Sequence, residues 1–314
     1  MTAKPKILVQ GTFPEAFVAA LAARFELVAH DPAVPPAGAK GWDNSIRGLV
    51  SWARLAVTRE MMDRLPGLEI VAGFGVGYDR FDLAAAKEKG IVVTNTPDVL
   101  TDDVADIAIG LMIAASRRIV TLDRFLRAGR WAAGEVPAQS RKVTGKRLGI
   151  AGLGRIGRAI ARRAEAFDMQ ISYTGPRAHA DVSYVFVPDL LSLARDSDFL
   201  MIACRADPGT RHMVSAEVLK ALGAKGILIN IARGSMVDEA ALVAALKGGV
   251  IGGAGLDVFA DEPRARPELF AFDNVVLTPH VASATVETRT AMGDLVIANL
   301  ESHFVGRGPL TPVK

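Results

Sequence analysis

Along most of the chain, short apolar runs alternate with stretches whose apolar residues recur at helical spacing. Strand-like runs cover Ile7–Val9, Gly48–Ser51, Glu69–Phe74 and Ile91–Thr94, and helical spacing marks Glu15–Arg24 and Arg59–Leu65 between them. This rhythm predicts parallel strands joined by crossover helices. Pro32, Pro35 and Pro36 mark a loop. At Thr101-Asp102-Asp103 a longer element begins with residues suited to a helix N-terminus, and Val104, Ile107, Ala108, Leu111, Met112 and Ala115 then form one apolar stripe. It predicts a helix that leaves one unit and crosses toward a second. The alternation resumes at Leu148–Ala151, Gln170–Tyr173, Phe199–Ala203, Gly226–Ile231, Ala254–Val258 and Val275–Leu277, six strands with helices between them. After Pro279 the chain turns helical again, with Met292, Leu295, Val296, Asn299 and Leu300 on one side. The pattern predicts an α/β chain of two doubly wound parallel-sheet domains. One is residues 1–98 plus 286–314, made discontinuous by the returning terminal helix; the other is residues 99–285. Two crossings imply an interdomain cleft, the usual place for a small ligand.

The run Leu148–Ala151 leads into Gly152-x-Gly154-x-x-Gly157, and the amphipathic segment Arg158–Phe167 follows. Three glycines alone are a weak signal. Between a strand and a helix they read as the dinucleotide fingerprint of a Rossmann-type domain. Gly152 permits the turn, Gly154 lets backbone approach a pyrophosphate, and Gly157 lets the helix pack closely on the strand. The helix N-terminus then offers unpaired N–H groups to the phosphates.

Composition narrows the remaining classes. The 314 residues carry 37 basic and 34 acidic side chains, so the net charge of +3 is a small excess and not a nucleic-acid footprint. Arg117-Arg118 and Arg162-Arg163 read as solvated helix faces. Cys204 is the single cysteine, which excludes an intrachain disulfide and a cysteine-cluster metal site. The N-terminal stretch from Met1 has no signal-peptide layout, and Ile107–Ala115 is too short to span a bilayer. A soluble cytoplasmic chain with no membrane and no nucleic-acid partner is expected.

Three further segments each begin at the carboxyl end of an expected strand: Asn230-Ile-Ala-Arg-Gly-Ser, Gly255-Leu-Asp-Val-Phe-Ala-Asp-Glu-Pro and Thr278-Pro-His-Val-Ala-Ser. Open parallel sheets bind their ligands at those ends, so Arg233, Asp257, Glu262 and His280 are expected to converge. Their types suit reduction of a carbonyl. A histidine supplies a proton to the developing oxyanion at neutral pH. A carboxylate beside it favours the imidazolium and fixes its orientation. An arginine fork suits the carboxylate or carbonyl oxygen of a 2-oxo acid. Taken singly, each has a plainer reading as a loop histidine, a solvated turn or a local ion pair.

Together with Gly73-Phe-Gly-Val-Gly-Tyr-Asp79 and Thr94-Asn-Thr-Pro-Asp-Val-Leu-Thr-Asp-Asp-Val-Ala-Asp106, these segments resemble the D-isomer-specific 2-hydroxyacid dehydrogenase family over nearly the whole chain. The resemblance is strongest to its glyoxylate/hydroxypyruvate reductase branch. It implies a flavodoxin-like substrate domain beside the Rossmann cofactor domain, a homodimer, and a small 2-oxo or 2-hydroxy acid as substrate. By resemblance His280 would be the proton donor, Glu262 its carboxylate partner and Arg233 the substrate-orienting residue. Asp257 would sit near the nicotinamide, with Arg155 and Ile156 over the pyrophosphate. Thr210, Ile231, Ala232 and Ser283, with Arg233 and His280, would complete the cofactor contacts. Backbone around Val76 and Gly77 would hold the substrate carboxylate. Read from residues alone, Gly73-x-Gly75-x-Gly77 is either an anion-binding nest or a tight turn.

An NAD-preferring fold places an acid at the end of its second strand, about twenty residues past the fingerprint. Here Ile171-Ser-Tyr-Thr-Gly175-Pro-Arg177 has none, while Asp168 comes before the strand and Asp181 late in the loop. Gly175 leaves room and Arg177 suits a 2′-phosphate, so NADP(H) is expected over NAD(H). The alternative is a solvated turn arginine. Ser51-Trp52-Ala53-Arg54 ends a strand of the first domain, where Trp52 either narrows the substrate pocket or packs in the core. Arg54 or Arg59 would suit a phosphorylated substrate, which keeps phosphoglycerate-type activity as a second reading. Cys204 either lines the adenine side or simply packs. A dinucleotide-sensing protein without turnover is the alternative from another class.

Overall fold

A computed structural model describes residues 4–313. Met1–Ala3 and Lys314, which the expected first domain and the N-terminal reading include, lie outside the described residues. The chain forms two compact units, one made of the chain up to Leu100 with the segment from Ser283 onward, the other Thr101–Ala282.

In chain order the first unit contains β1 (Lys6–Gln10), α1 (Glu15–Arg24), β2 (Glu26–His30), β3 (Ile46–Trp52), α2 (Arg59–Asp63), β4 (Ile70–Phe74), α3 (Leu83–Glu88) and β5 (Val92–Thr94). The second contains α4 (Thr101–Arg117), α5 (Ile119–Arg127), β6 (Arg147–Ala151), α6 (Arg155–Glu165), β7 (Gln170–Thr174), β8 (Val185–Phe186) and α7 (Leu190–Arg195). It continues with β9 (Phe199–Ile202), α8 (Ala216–Leu222), β10 (Ile227–Asn230), α9 (Glu239–Lys247), β11 (Gly253–Leu256) and β12 (Val275–Leu277). The terminal helix α10 (Val286–Phe304) belongs to the first unit.

Among the described residues the first unit holds a five-stranded sheet of order β2-β1-β3-β4-β5, parallel throughout. This is the flavodoxin-like order. β4 is buried at every position, as a strand covered on both faces must be. α10 turns Met292, Gly293, Val296 and Leu300 inward, and a Cβ on Gly293 would come within 2.8 Å of the Phe17 ring of α1.

The second unit holds a seven-stranded parallel sheet of order β12-β11-β10-β9-β6-β7-β8. The order reverses between β6 and β9, which makes the end of β6 the switch point where such sheets bind ligands. α4, expected to cross between units, lies within this one: a Cβ added to Gly255 in β11 would come within 3.0 Å of Leu111. Two strands exceed the sequence reading, β2 and β8. Both are edge strands of mixed burial, and both are short: three apolar residues, Leu27-Val28-Ala29, in β2 and two, Val185-Phe186, in β8. None of the described helices is long and apolar enough to cross a membrane.

Candidate active site

Two of the three glycines after β6 have steric causes within the protein, and the third does not. Gly152 has φ +98°, and a Cβ there would lie 2.5–2.6 Å from the backbone and side chain of Cys204 at the end of β9. Gly157 lies against the turn itself, since a Cβ would sit 2.1 Å from the Gly152 carbonyl oxygen. Gly154 differs, because its Cβ position meets nothing within 4 Å. A side chain there would fill open space in front of the helix. α7, α8 and α9 are each capped by a side chain, from Asp189, Ser215 and Asp238, whereas α6 starts on Gly154 with no side-chain cap. Its first N–H groups, at the positive end of an eleven-residue helix, suit an anion. The residues present therefore fit a dinucleotide pyrophosphate, with Arg155 and Ile156 opening the helix.

At the end of β7, Gly175 also faces open space and Arg177 is exposed. Asp181, the nearest acid that follows, is bound in a two-pronged pair by Arg158 at 2.8 and 3.0 Å. No carboxylate is thus supplied at the strand end itself. Cys204 is half-buried, with its sulfur 3.7 Å from that of Met213, and burial pushes its thiol up to about 11. A thiol so disfavoured as thiolate is not a nucleophile. Thr210 spends its hydroxyl in a capping box with Asp207, and Ile231 and Ala232 are buried beyond β10.

β10, β11 and β12 are neighbours in the sheet, so the segments after them share one edge. His280 Nδ1 lies 2.7 Å from Glu262 Oε2. Burial pushes the Glu262 carboxyl up. The His280 ring, the Phe259 N–H and the Arg233 charge outweigh it and hold the carboxyl below the usual glutamate range. Glu262 is a carboxylate at neutral pH, and that carboxylate selects the tautomer with hydrogen on Nδ1. The structure thus brings Arg233, Glu262 and His280 together on one edge, as expected from their strand-end positions.

Asp257 is fully buried, and its carboxylate is committed to the His280 turn. Oδ1 accepts from Thr278 Oγ1 at 2.6 Å and from the Val281 N–H at 2.9 Å, and Oδ2 from the Ala282 N–H at 3.0 Å. His280 sits inside that turn with φ +53°, its N–H donating to the Asp257 carbonyl at 2.8 Å. Asn230 does the same for the preceding loop. It accepts from the Ala232 N–H at 3.1 Å and donates to the Arg233 carbonyl at 2.9 Å. The sequence offered Asp257 as a cofactor neighbour and left Asn230 unread; a carboxylate or amide whose partners are backbone N–H groups leaves no spacing signature.

The remaining expected site residues lie in the first unit. Trp52 donates from Nε1 to the Thr12 carbonyl at 2.9 Å, stacks on Phe13 at 5.0 Å and has Arg54 and Arg289 over its ring at 4.8 and 4.7 Å. Val76 and Gly77 follow β4 in a loop braced by the Asn95 side chain, which donates to the Val76 carbonyl at 2.8 Å. Gly75, at φ +143°, would place a Cβ 2.5 Å from that of Ala53. Ser283 opens the returning segment. Among the described residues no group of three or more His, Cys, Asp or Glu side chains is placed to hold a metal ion.

A glycine turn at the switch point of a parallel sheet, with an imidazole, a carboxylate and a guanidinium at neighbouring strand ends, defines a dinucleotide-dependent oxidoreductase. Residues 109–282 match the model of the D-isomer specific 2-hydroxyacid dehydrogenase NAD-binding domain, and the chain belongs to that family. It is 54% identical over 270 residues to a glyoxylate/hydroxypyruvate reductase of Arabidopsis thaliana, covering 86% of each chain. It is 53% identical to a hydroxyphenylpyruvate reductase of Plectranthus scutellarioides, again over 86% of each. Among solved structures, the NADPH-dependent glyoxylate/hydroxypyruvate reductase of Sinorhizobium meliloti, in complex with NADP and malonate, superimposes with a TM-score of 0.94. That protein is 45% identical, over 99% of this chain and 97% of the other.

Proposed function

We propose that this chain reduces small 2-oxo acids, glyoxylate and hydroxypyruvate foremost, to 2-hydroxy acids with NADPH, and with NADH as a second, less preferred carrier. The single observation that carries the reading is the 2.7 Å Glu262–His280 pair at the strand ends of the sheet that bears the glycine turn. When bound, the nicotinamide supplies hydride to the keto carbon. His280 gives the accompanying proton from Nε2, the ring nitrogen left free to face substrate once Nδ1 is held by Glu262. That carboxylate also stabilises the imidazolium before transfer. Arg233 binds the carboxylate or carbonyl oxygen through its fork and fixes the angle of attack. Asp257 holds the His280 turn. Trp52, Val76 and Gly77 are assigned to the substrate, the latter two through backbone. The units up to Leu100 and from Thr101 are assigned as substrate and cofactor domains.

The test is a panel of glyoxylate, hydroxypyruvate and hydroxyphenylpyruvate with both carriers. The reading expects the highest kcat/KM for the first two with NADPH, and turnover of none of the three would overturn it. Arg177→Ala is expected to lower kcat/KM for NADPH by about 10- to 100-fold, the worth of a charged contact to a phosphate, and to leave NADH nearly unchanged. An unchanged NADPH/NADH ratio removes Arg177 from cofactor selection. A homodimer is part of the same reading, supported by the exposed apolar residues Ile119 and Leu126 of α5 and the nearby Trp131. Light scattering on the wild type and on Trp131→Asp is expected to give a dimer and a weakened dimer, and a monomeric wild type would end that assignment.

A further inference from the structure

The loop between β11 and β12 carries Glu262, and its path is set by a residue the acid–base assignment does not use. Glu239, the first residue of α9, is charged yet only 7% exposed. Its Oε1 accepts the Ala260 N–H at 2.7 Å, while Oε2 lies 3.5 Å from Nε of the half-exposed Arg266. The preceding amide, that of Phe259, donates to Glu262 Oε1 at 3.1 Å. Two consecutive N–H groups of one loop are therefore held by two carboxylates, one bonded to His280 and one fixed on α9. The same loop touches the backbone just after Arg233. A Cβ on Gly234 would come within 1.9 Å of the Phe259 carbonyl carbon and 2.3 Å of the Ala260 nitrogen. The segment from Gly234 to Glu239 thus grips Phe259–Ala260 twice, by close approach and by hydrogen bond. Burying a carboxylate is costly unless its hydrogen bonds are made. A helix start needs only an exposed acid, so burial against a loop amide marks a different task.

We infer that Glu239 is a positioning residue: it fixes the β11–β12 loop so that Glu262 meets Nδ1 of His280, and it ties that pair to the loop bearing Arg233. The inference rests on the acid–base reading above. The charged groups around the pair are Arg233 and, under the His280 turn, Asp257, with the Asp261–Arg264 pair on the loop and the Glu239–Arg266 pair between α9 and the loop. Because Glu239 bonds the loop and not the imidazole, its loss acts through geometry before charge.

Three variants separate these effects. Glu239→Gln keeps an acceptor at the same reach, Glu239→Asp keeps the charge but draws it back by a methylene, and Glu239→Leu keeps bulk without an acceptor. With glyoxylate and NADPH, kcat is expected to fall about 10- to 100-fold in the Asp and Leu variants, with KM moving about threefold or less and the Gln variant near wild type. A second readout needs no turnover. The proton NMR resonance of the His280 Nδ1–H, assigned by its loss in His280→Asn, is expected in the wild type and the Gln variant and broadened or absent in the other two. Wild-type kcat and an intact resonance in the Asp and Leu variants would overturn the inference, as would a Gln variant as impaired as Leu. If the Leu variant does not fold, the Asp variant carries the comparison. An inactive wild type that still shows the expected resonance pattern condemns the proposed function and supports the positioning role.

Discussion

His280→Asn is expected to lower kcat by about two to four orders of magnitude, the usual worth of general acid catalysis, with NADPH affinity retained. Asparagine suits the position because it tolerates the left-handed backbone that His280 adopts at φ +53°. Its N–H can keep the bond to the Asp257 carbonyl. The substitution therefore removes the proton donor without breaking the turn that Asp257 holds through Thr278, Val281 and Ala282. Steady-state kinetics together with fluorescence titration of NADPH separate the two quantities. A variant with near-normal kcat would assign the proton to another group.

The second large effect is expected at Gly152. An alanine there meets two penalties at once: a φ of +98° that L side chains rarely adopt, and a Cβ within 2.6 Å of Cys204 atoms that include backbone. Neither yields to a side-chain rotation, so the turn or the end of β9 must move. Strain of this kind costs about 3 kcal/mol or more, equivalent to about a hundredfold loss of cofactor affinity if the fold survives. Gly154→Ala makes the informative contrast, because its Cβ meets no protein atom. Loss of NADPH binding without loss of thermal stability in that variant marks space reserved for ligand. Unchanged affinity in the Gly152 variant would show that the turn does not set the pyrophosphate site.

Much of this arrangement was legible in the chain because parallel sheets convert sequence order into spatial order. Once β10, β11 and β12 are read as consecutive apolar runs, Arg233, Glu262 and His280 must emerge at one edge, and they do. The fingerprint was readable for the same reason, as strand, turn and helix lie in one stretch. The bonds that aim those side chains were not readable. Glu239 is twenty-one residues from Ala260, and Asp257 is twenty-five from Ala282. Any polar side chain can take a backbone N–H, so neither spacing nor residue type announces the pairing. The edge strands β2 and β8 escaped because their apolar runs are only three and two residues long, and a run that short does not by itself separate a strand from a loop. Trp52 stayed ambiguous since an indole serves a core and a pocket alike; its stack on Phe13 and its two guanidinium neighbours became visible only in the fold.

The central claim is that the strand-end acid–base pair works beside a nicotinamide to reduce a 2-oxo acid. Its most direct test is isotope transfer from NADPH carrying deuterium at both hydrogens of nicotinamide C4, incubated with glyoxylate and the wild-type protein. The account predicts one deuterium at C2 of the glycolate for each NADPH oxidised. NADPH that binds without oxidation, or glycolate that carries no label, would contradict it.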